Sequence, residues 1–307
     1  MDRITHVLSE PSKQTILVVG LARSGISAAL ALRSLGAEVV GTDRATELEG
    51  MDALEEAGVR LELGGDHTEL VRHADLVVLS PGVQLRPLAA PVPAEATRRG
   101  VPVLGELELA HRLLGRSARM PLMAVTGTNG KSTTTSLCAH LLEQAGQRVF
   151  LGGNLGRPLS ELVRSGEEVD WAVVEVSSFQ LEHLSLPSAF VPKVGVWLNL
   201  TPDHLDRHVT MRNYARMKRR MFEGMGSAET GVFFLDDSNV NQHHEGLDCT
   251  VSGVSRNPAR VPLVGALLVR REITPNGWDS SFVIDNPRLL GDHNAENAAC
   301  AASAALA

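Results

Sequence analysis

Aromatic side chains make up only 4% of the 307 residues, and Tyr214 is the single tyrosine. A stacking platform for single-stranded nucleic acid needs more rings than this. Cys138, Cys249 and Cys300 are too few and too scattered for a disulfide framework or a zinc ribbon, and they fit a reducing, cytoplasmic setting. No run of about 18 apolar residues occurs, so no segment predicts a membrane span. The N-terminal stretch MDRITHVLSEPSKQTILVVG has neither the apolar core nor the small-residue cleavage site of a secretory signal. With 29 basic against 36 acidic residues the net charge is −7, which argues against binding nucleic acid or an anionic membrane by bulk electrostatics. What is present is 43% hydrophobic and 21% charged residues, globular values that exclude wholesale disorder. The length suits about two domains.

Short β-branched runs ending in glycine or a polar residue recur: ILVVG (16–20), VVGTD (39–43), LVVLSPG (76–82), LMAVTG (122–127), WAVVEVS (171–177) and VGVWLNL (194–200). Helix-compatible stretches such as 24–37 and 131–146 follow most of them, the signature of parallel βαβ units. The reading is α/β throughout. ILVVG and LMAVTG each open a strand, glycine turn and helix, so two domains are expected: a Rossmann-like one over 1–116, then a P-loop-type, mostly parallel-sheet one over 117–307. Residues 250–285, with a Pro-Asn-Gly turn at 275–277, predict antiparallel strands added to the second domain. The tail GDHNAENAACAASAALA (291–307) predicts a helix of small residues, and a chain cut before another domain is as compatible with it as a natural stop.

The strongest local signal is AVTGTNGKSTTTSL (124–137). A buried strand delivers Gly127, Thr128, Asn129 and Gly130 into Lys131, Ser132, Thr133 and a helix. Two glycines let backbone N–H groups point inward, the helix N-terminus adds about half a positive charge, and the lysine reaches outer phosphates. A triphosphate fits, with Ser132 or Thr133 offering a hydroxyl to magnesium. The match is to G-x-x-G-K-S, because Val125 stands where the longer pattern has its first glycine. An ordinary βα turn with a surface lysine is the bland alternative.

Glu175 lies near the carboxyl end of the run 171–181, where open parallel sheets gather ligands. A magnesium ion there would relieve an otherwise costly buried carboxylate, the alternative being a pair with an arginine. In VGVWLNLTPDHLDRH (194–208), Thr201 predicts an N-cap with Pro202 at the first helical position, placing Asp203 and His204 in the opening turn. His204 is then a ligand or phosphate contact, and His208 is expected in solvent. Spaced four apart, His204 and His208 also admit a zinc pair, without a third ligand at suitable spacing. Lys218 falls one turn beyond Tyr214 on the helix YARMKRRMFEG (214–224), whose basic face is by itself an ordinary solvated one. Asn294 and Asn297 stand near a helix start, where their amides reach one ligand or merely cap. In the first domain Gly20, Gly25 and Asp43 resemble a dinucleotide fingerprint with Ala22 at the middle glycine. A diphosphate at Arg23–Ser24–Gly25 and a ribose or base near Asp43 and Arg44 are expected, NAD remaining one option.

Together, VVGLARSG (18–25), LSPGV (79–83), TGTNGKST (126–133), GGNLG (152–156), EVSSFQL (175–181), NLTPDHLDRH (199–208), Tyr214 with Lys218, and GDHNAEN (291–297) resemble the Mur ligases of peptidoglycan synthesis. The first-domain turn with LSPGV resembles the D-glutamate-adding branch. The resemblance implies a monomeric cytoplasmic enzyme that uses ATP to turn the carboxylate of UDP-N-acetylmuramoyl-L-alanine into an acyl phosphate, which D-glutamate's amine attacks. It implies that Lys131 and the backbone of Gly127–Gly130 hold the phosphates, and that Ser132 and Glu175 hold one of two Mg2+ ions. His204 and a carbamylated Lys218 would hold the second. By the same resemblance Asn294 and Asn297 face adenine, Asn154, Ser177 and Gln180 lie near the substrate with His204, and Ser24, Gly25, Asp43, Arg44, Ser80, Pro81 and Gly82 take the UDP part. The family's third, C-terminal domain, which receives the amino acid, has no counterpart in these motifs, so the chain as given is expected not to ligate alone. An L-alanine-adding ligase, a folylpolyglutamate synthetase or a non-catalytic nucleotide-binding fragment are the alternatives, the UDP site arguing against folate.

Overall fold

A computed structural model describes residues 2–85, 90–115, 120–262, 265–269, 271–277 and 281–307. Two compact units result: Met1–Arg119 with Arg157–Glu167 and Glu182–Phe190, and Met120–Gly156 with Glu168–Leu181 and Val191–Ala307. The boundary expected at residue 116 lies outside the described residues. Two excursions from the later half of the chain cluster with the first unit.

The first unit is built on five strands, β1 (Thr15–Val19), β2 (Glu38–Asp43), β3 (Arg60–Leu63), β4 (Leu76–Leu79) and β5 (Val103–Gly105). They pair in parallel in the order β3-β2-β1-β4-β5. Alternation divides the side chains between two cores: Ile16, Val18 and Val39 pack with Leu8 and Leu32 on one face, while Leu17, Val40 and Val77 pack with Val71 and Ala96 on the other. Strand order reverses beside β1, so the connections after β1 and β4 diverge and leave a crevice at the carboxyl edge.

The second unit has nine strands: β6 (Leu122–Thr126), β7 (Val149–Gly153), β8 (Trp171–Glu175), β9 (Val194–Trp197), β10 (Thr230–Phe234), β11 (Thr250–Ser255), β12 (Gly265–Val269), β13 (Glu272–Pro275) and β14 (Phe282–Val283). Their order is β14-β13-β12-β11-β10-β9-β6-β8-β7. Pairing is parallel from β7 through β12 and antiparallel from β12 to β14, so the expected antiparallel addition is present at one edge. Central β6 is buried along its whole length, as a strand covered on both faces must be. The small-residue tail forms a helix, Asp292–Ala305, packed with the helix Lys131–Gln144 through Cys138, Ala299, Cys300 and their neighbours. Small side chains let the helix backbone lie close to its partner. All three cysteines are buried free thiols. Among the described residues, no helix is long and apolar enough to cross a membrane.

Candidate active site

Strands β8, β6 and β9 are neighbours and run parallel, so their carboxyl ends bring Glu175, the turn 127–130 and Asn199 to one edge of the second unit. The turn is clamped by one amide that the sequence reading did not single out. Asn199 Oδ1 accepts from the N–H groups of Thr128 (3.0 Å) and Asn129 (2.9 Å), while its Nδ2 donates to the Asn129 carbonyl (3.0 Å). Its position straight after a strand, on the same edge as the glycine turn, was the available signal. Gly130 has φ +80°, and a Cβ there would collide with the buried Asn297 amide. Only glycine serves at that position.

Lys131 opens the helix Lys131–Gln144 and folds its Nζ back onto the Thr128 carbonyl at 2.8 Å. Burial lowers its pKa below the usual lysine value, against the pull of Glu175 and Asp203. Glu175 is only 3% exposed, and both its oxygens are engaged: the Ser132 hydroxyl donates to Oε2 at 2.6 Å and the Asn154 amide to Oε1 at 2.7 Å. Among the described residues its side-chain partners are the Ser132 hydroxyl and the Asn154 amide and not an arginine, so the arginine-paired alternative does not hold. A buried carboxylate beside a hydroxyl, with neutral donors only, is a hard-oxygen set that suits a divalent cation.

Beside the turn lies a cavity of about 390 Å³, lined by Asn129, Gly130, Thr133, Asn199, Asn294 and Asn297 among others. The last helix thus carries both asparagines to the edge of the glycine turn. Asn297 is buried against Gly130, whereas Asn294 donates to the Leu290 carbonyl at 2.8 Å.

The segment after β9 departs from expectation. No helix starts at Pro202; a single turn of helix spans Leu205–His208, entered through His204 in the left-handed region (φ 52°) and left through Val209 (φ 67°). Thr201 instead ties into the glycine turn, its N–H donating to Thr128 Oγ1 at 3.1 Å. His204 is 44% exposed, with Nε2 3.4 Å from Asp203 Oδ2 and its ring 4.7 Å from that of Phe179. His208 is not in solvent. It is buried, stacked on Tyr214 at 5.2 Å, with Nε2 2.9 Å from Ser178 Oγ, so that nitrogen is already engaged and not offered to a zinc ion. Burial, with Arg207, His204 and Lys218 nearby, lowers its pKa to about 4. The unfolded chain therefore binds one more proton between pH 6.5 and 4, and stability falls across that window as pH falls. We expect a loss on the order of 3 kcal/mol. Thermal melts of His208→Phe should show a pH slope shallower by about one proton; an unchanged slope would contradict this.

Lys218 is 1% exposed and lies on the same side of its helix as Tyr214, with Nζ 4.7 Å from the centre of the tyrosine ring. It donates to the Gly127 carbonyl at 2.8 Å and to Thr126 Oγ1 at 3.4 Å. Burial, then the charge of Lys131, holds its pKa well below the usual lysine range. The His204 ring meets the same tyrosine edge-on at 6.1 Å, so Tyr214 borders both groups. The Ser177 N–H and hydroxyl both donate to Gln180 Oε1, at 2.9 and 3.1 Å, on the short helix after β8.

In the first unit a cleft of about 320 Å³ opens at the β1/β4 reversal, lined by Gly20, Asp43, Arg44, Asp66, Ser80 and Gly82 among others. Ser24, Gly25 and Pro81 are not in its lining. Gly25 sits in the first turn of the helix Arg23–Ser34, pressed on the Gly20 carbonyl without room for a Cβ. Asp43 accepts from the Leu21 N–H (2.6 Å) and the Ala45 N–H (2.9 Å), and Arg44 Nε is paired with Asp66 at 2.7 Å.

A family model described as Mur ligase middle domain matches residues 125–305, and one described as Mur ligase MurD-like, N-terminal domain, matches 14–105. The chain belongs to the Mur ligase family. Among curated Mur ligase relatives it is 41% identical to a UDP-N-acetylmuramoylalanine--D-glutamate ligase of Pelotomaculum thermopropionicum, across 98% of this chain and 65% of that protein. A protein of the same name from Anaeromyxobacter dehalogenans is 43% identical across 93% of this chain and 62% of its own length. The chain thus spans less than two thirds of the curated relatives it matches. Its fold is that of a solved UDP-N-acetylmuramate:L-alanyl-gamma-D-glutamyl-meso-diaminopimelate ligase of Neisseria meningitides, with a TM-score of 0.61 at 20% identity, covering 95% of this chain and 93% of that one.

Proposed function

We propose that this chain carries the nucleotide and UDP-substrate sites of a cytoplasmic, ATP-dependent ligase that joins D-glutamate to UDP-N-acetylmuramoyl-L-alanine. The observation that carries the reading is the buried Glu175, bonded to Ser132 and standing across a parallel strand pair from the lysine-bearing glycine turn. Transfer of a phosphoryl group between two anions needs positive centres placed in advance. Lys131 and the backbone where the turn 127–130 enters its helix would take the phosphates of ATP, the Thr128 and Asn129 amides being held by Asn199, and Asn294 and Asn297 would take the base end. Ser132 and Glu175, held by Asn154, would hold one Mg2+. His204 and Lys218 would hold a second once Lys218 is a carbamate: its neutral amine adds to the carbon of carbon dioxide and loses a proton to solvent, leaving an anion. Bound magnesium supplies charge neutralisation along the phosphates.

The substrate carboxylate, near Asn154, Ser177, Gln180 and His204, attacks the γ-phosphorus, and the bond to the β-bridging oxygen breaks to release ADP. The amine of D-glutamate then attacks the acyl carbon, phosphate leaves, and the amine proton passes to solvent. The UDP part would lie in the first unit's cleft against Asp43, Arg44, Ser80 and Gly82, with the helix start at Ser24 and Gly25 adding its dipole. Curated relatives bearing the D-glutamate ligase name support this branch. Phosphate release by the complete gene product, given ATP, UDP-N-acetylmuramoyl-L-alanine and a panel of amino acids, should be stimulated by D-glutamate alone. Equal stimulation by another amino acid overturns the assignment.

A further inference from the structure

The cleft of the first unit is walled on one side by the turn that follows β4, with Ser80, Gly82, Val83 and Gln84 in its lining. The backbone of that turn is held by Ser80 N–H donating to the Val19 carbonyl (2.9 Å) and Val83 N–H donating to the Ser80 carbonyl (3.0 Å). A restraint also comes from a residue 100 positions away: the buried ring of His183 places Nε2 2.8 Å from the Val83 carbonyl oxygen. A carbonyl only accepts, so Nε2 carries the hydrogen.

His183 is itself held from two directions. Its own carbonyl accepts from the Gly105 N–H at 2.8 Å, at the end of β5. The excursion it belongs to, Glu182–Phe190, is anchored on the fully buried carboxylate of Glu108. That carboxylate accepts from the Ser185 N–H (2.6 Å), the Ser185 hydroxyl (2.6 Å), the Ala189 N–H (3.2 Å) and Arg112 Nε (2.8 Å). A buried charge with four donors is costly to disturb, so the imidazole stands at a fixed place.

We propose that His183 is a positioning residue for the ligand of this cleft: it holds the Ser80–Val83 turn in its binding shape, so that the turn's ordering cost is met before the ligand arrives. Preorganisation of this kind raises affinity without any new contact to the ligand. The proposal rests on the reading of the cleft as a uridine diphosphate site. The first-unit motifs do not include His183, which lies in sequence just beyond the helix Ser178–Glu182.

Uridine diphosphate titrated calorimetrically into the 307-residue chain tests it. His183→Leu keeps bulk and removes the donor, and should weaken binding about tenfold, while His183→Gln, whose amide reaches a similar point, should stay within about threefold of the parent. ATP binding should be unchanged in both. Equal affinity in the parent and His183→Leu, or no recovery in His183→Gln, overturns the proposal. Hydrogen exchange of segment 80–85 in the ligand-free chain separates the two readings. If the parent takes up no uridine diphosphate, the assignment of the cleft fails. Exchange then still decides the clasp: faster in His183→Leu supports it, unchanged overturns it.

Discussion

Lys131→Ala is expected to lower phosphoryl transfer about a thousandfold, the loss seen when a positioned cationic or hydrogen-bonding group facing the transition-state charge is removed. Its Nζ rests on the carbonyl of the glycine turn, 2.8 Å from Thr128 O, rather than in solvent. The same change should leave the fold intact or firmer. Burial penalises the Lys131 ammonium, so removing that charge relieves a cost to folding. Affinity for magnesium-ATP should therefore collapse in calorimetry while the melting temperature holds. Lys131→Arg should not rescue, because a planar fork cannot replace a compact ammonium inside a closed turn. Unchanged ATP affinity in Lys131→Ala would mean that the turn is an ordinary βα connection.

The features legible in the sequence are those whose cause is local. Runs such as LMAVT become buried parallel strands because a strand covered on both faces is apolar throughout, and the glycine turn before Lys131 carries its own conformational demand at Gly130. The small-residue tail is a helix for equally local reasons. What escaped was set by distant partners. Thr-Pro before Asp203 is a sound helix-start signal, yet Thr201 is captured by Thr128 and the chain turns through left-handed His204 before any helix begins. His208 follows an arginine in a polar stretch and reads as solvated; the stack on Tyr214, the Phe179 ring and the Ser178 hydroxyl bury it. The sequence places residues 182–190 in the second domain, because the position of Glu182–Phe190 with the first unit depends on bonds to Glu108 from residues 77 and 81 positions later.

Lys218→Ala is expected to reduce ligation by at least about a hundredfold, the loss typical of disturbing a metal site. Short carboxylic acids such as acetate should restore part of it, since a free carboxylate can occupy the space where the carbamate would stand. A second readout needs no turnover. The parent chain equilibrated with ¹³C-labelled carbon dioxide should show a protein-bound carbamate carbon in its NMR spectrum, absent in Lys218→Ala. In buffer free of carbon dioxide the amine itself titrates, and the sign of its effect is fixed. Its folded pKa lies well below the usual 10.5, because burial and Lys131 disfavour the ammonium. Between the two values this group binds more protons in the unfolded chain, so its contribution to stability rises with pH until about 10.5 and then levels. Lys218→Met, which keeps the length and loses the charge, should remove that rise. A parent chain and Lys218→Met with the same pH dependence of the melting temperature would mean that Lys218 stays protonated, and an ammonium held on the Gly127 carbonyl can neither add carbon dioxide nor bind a metal ion.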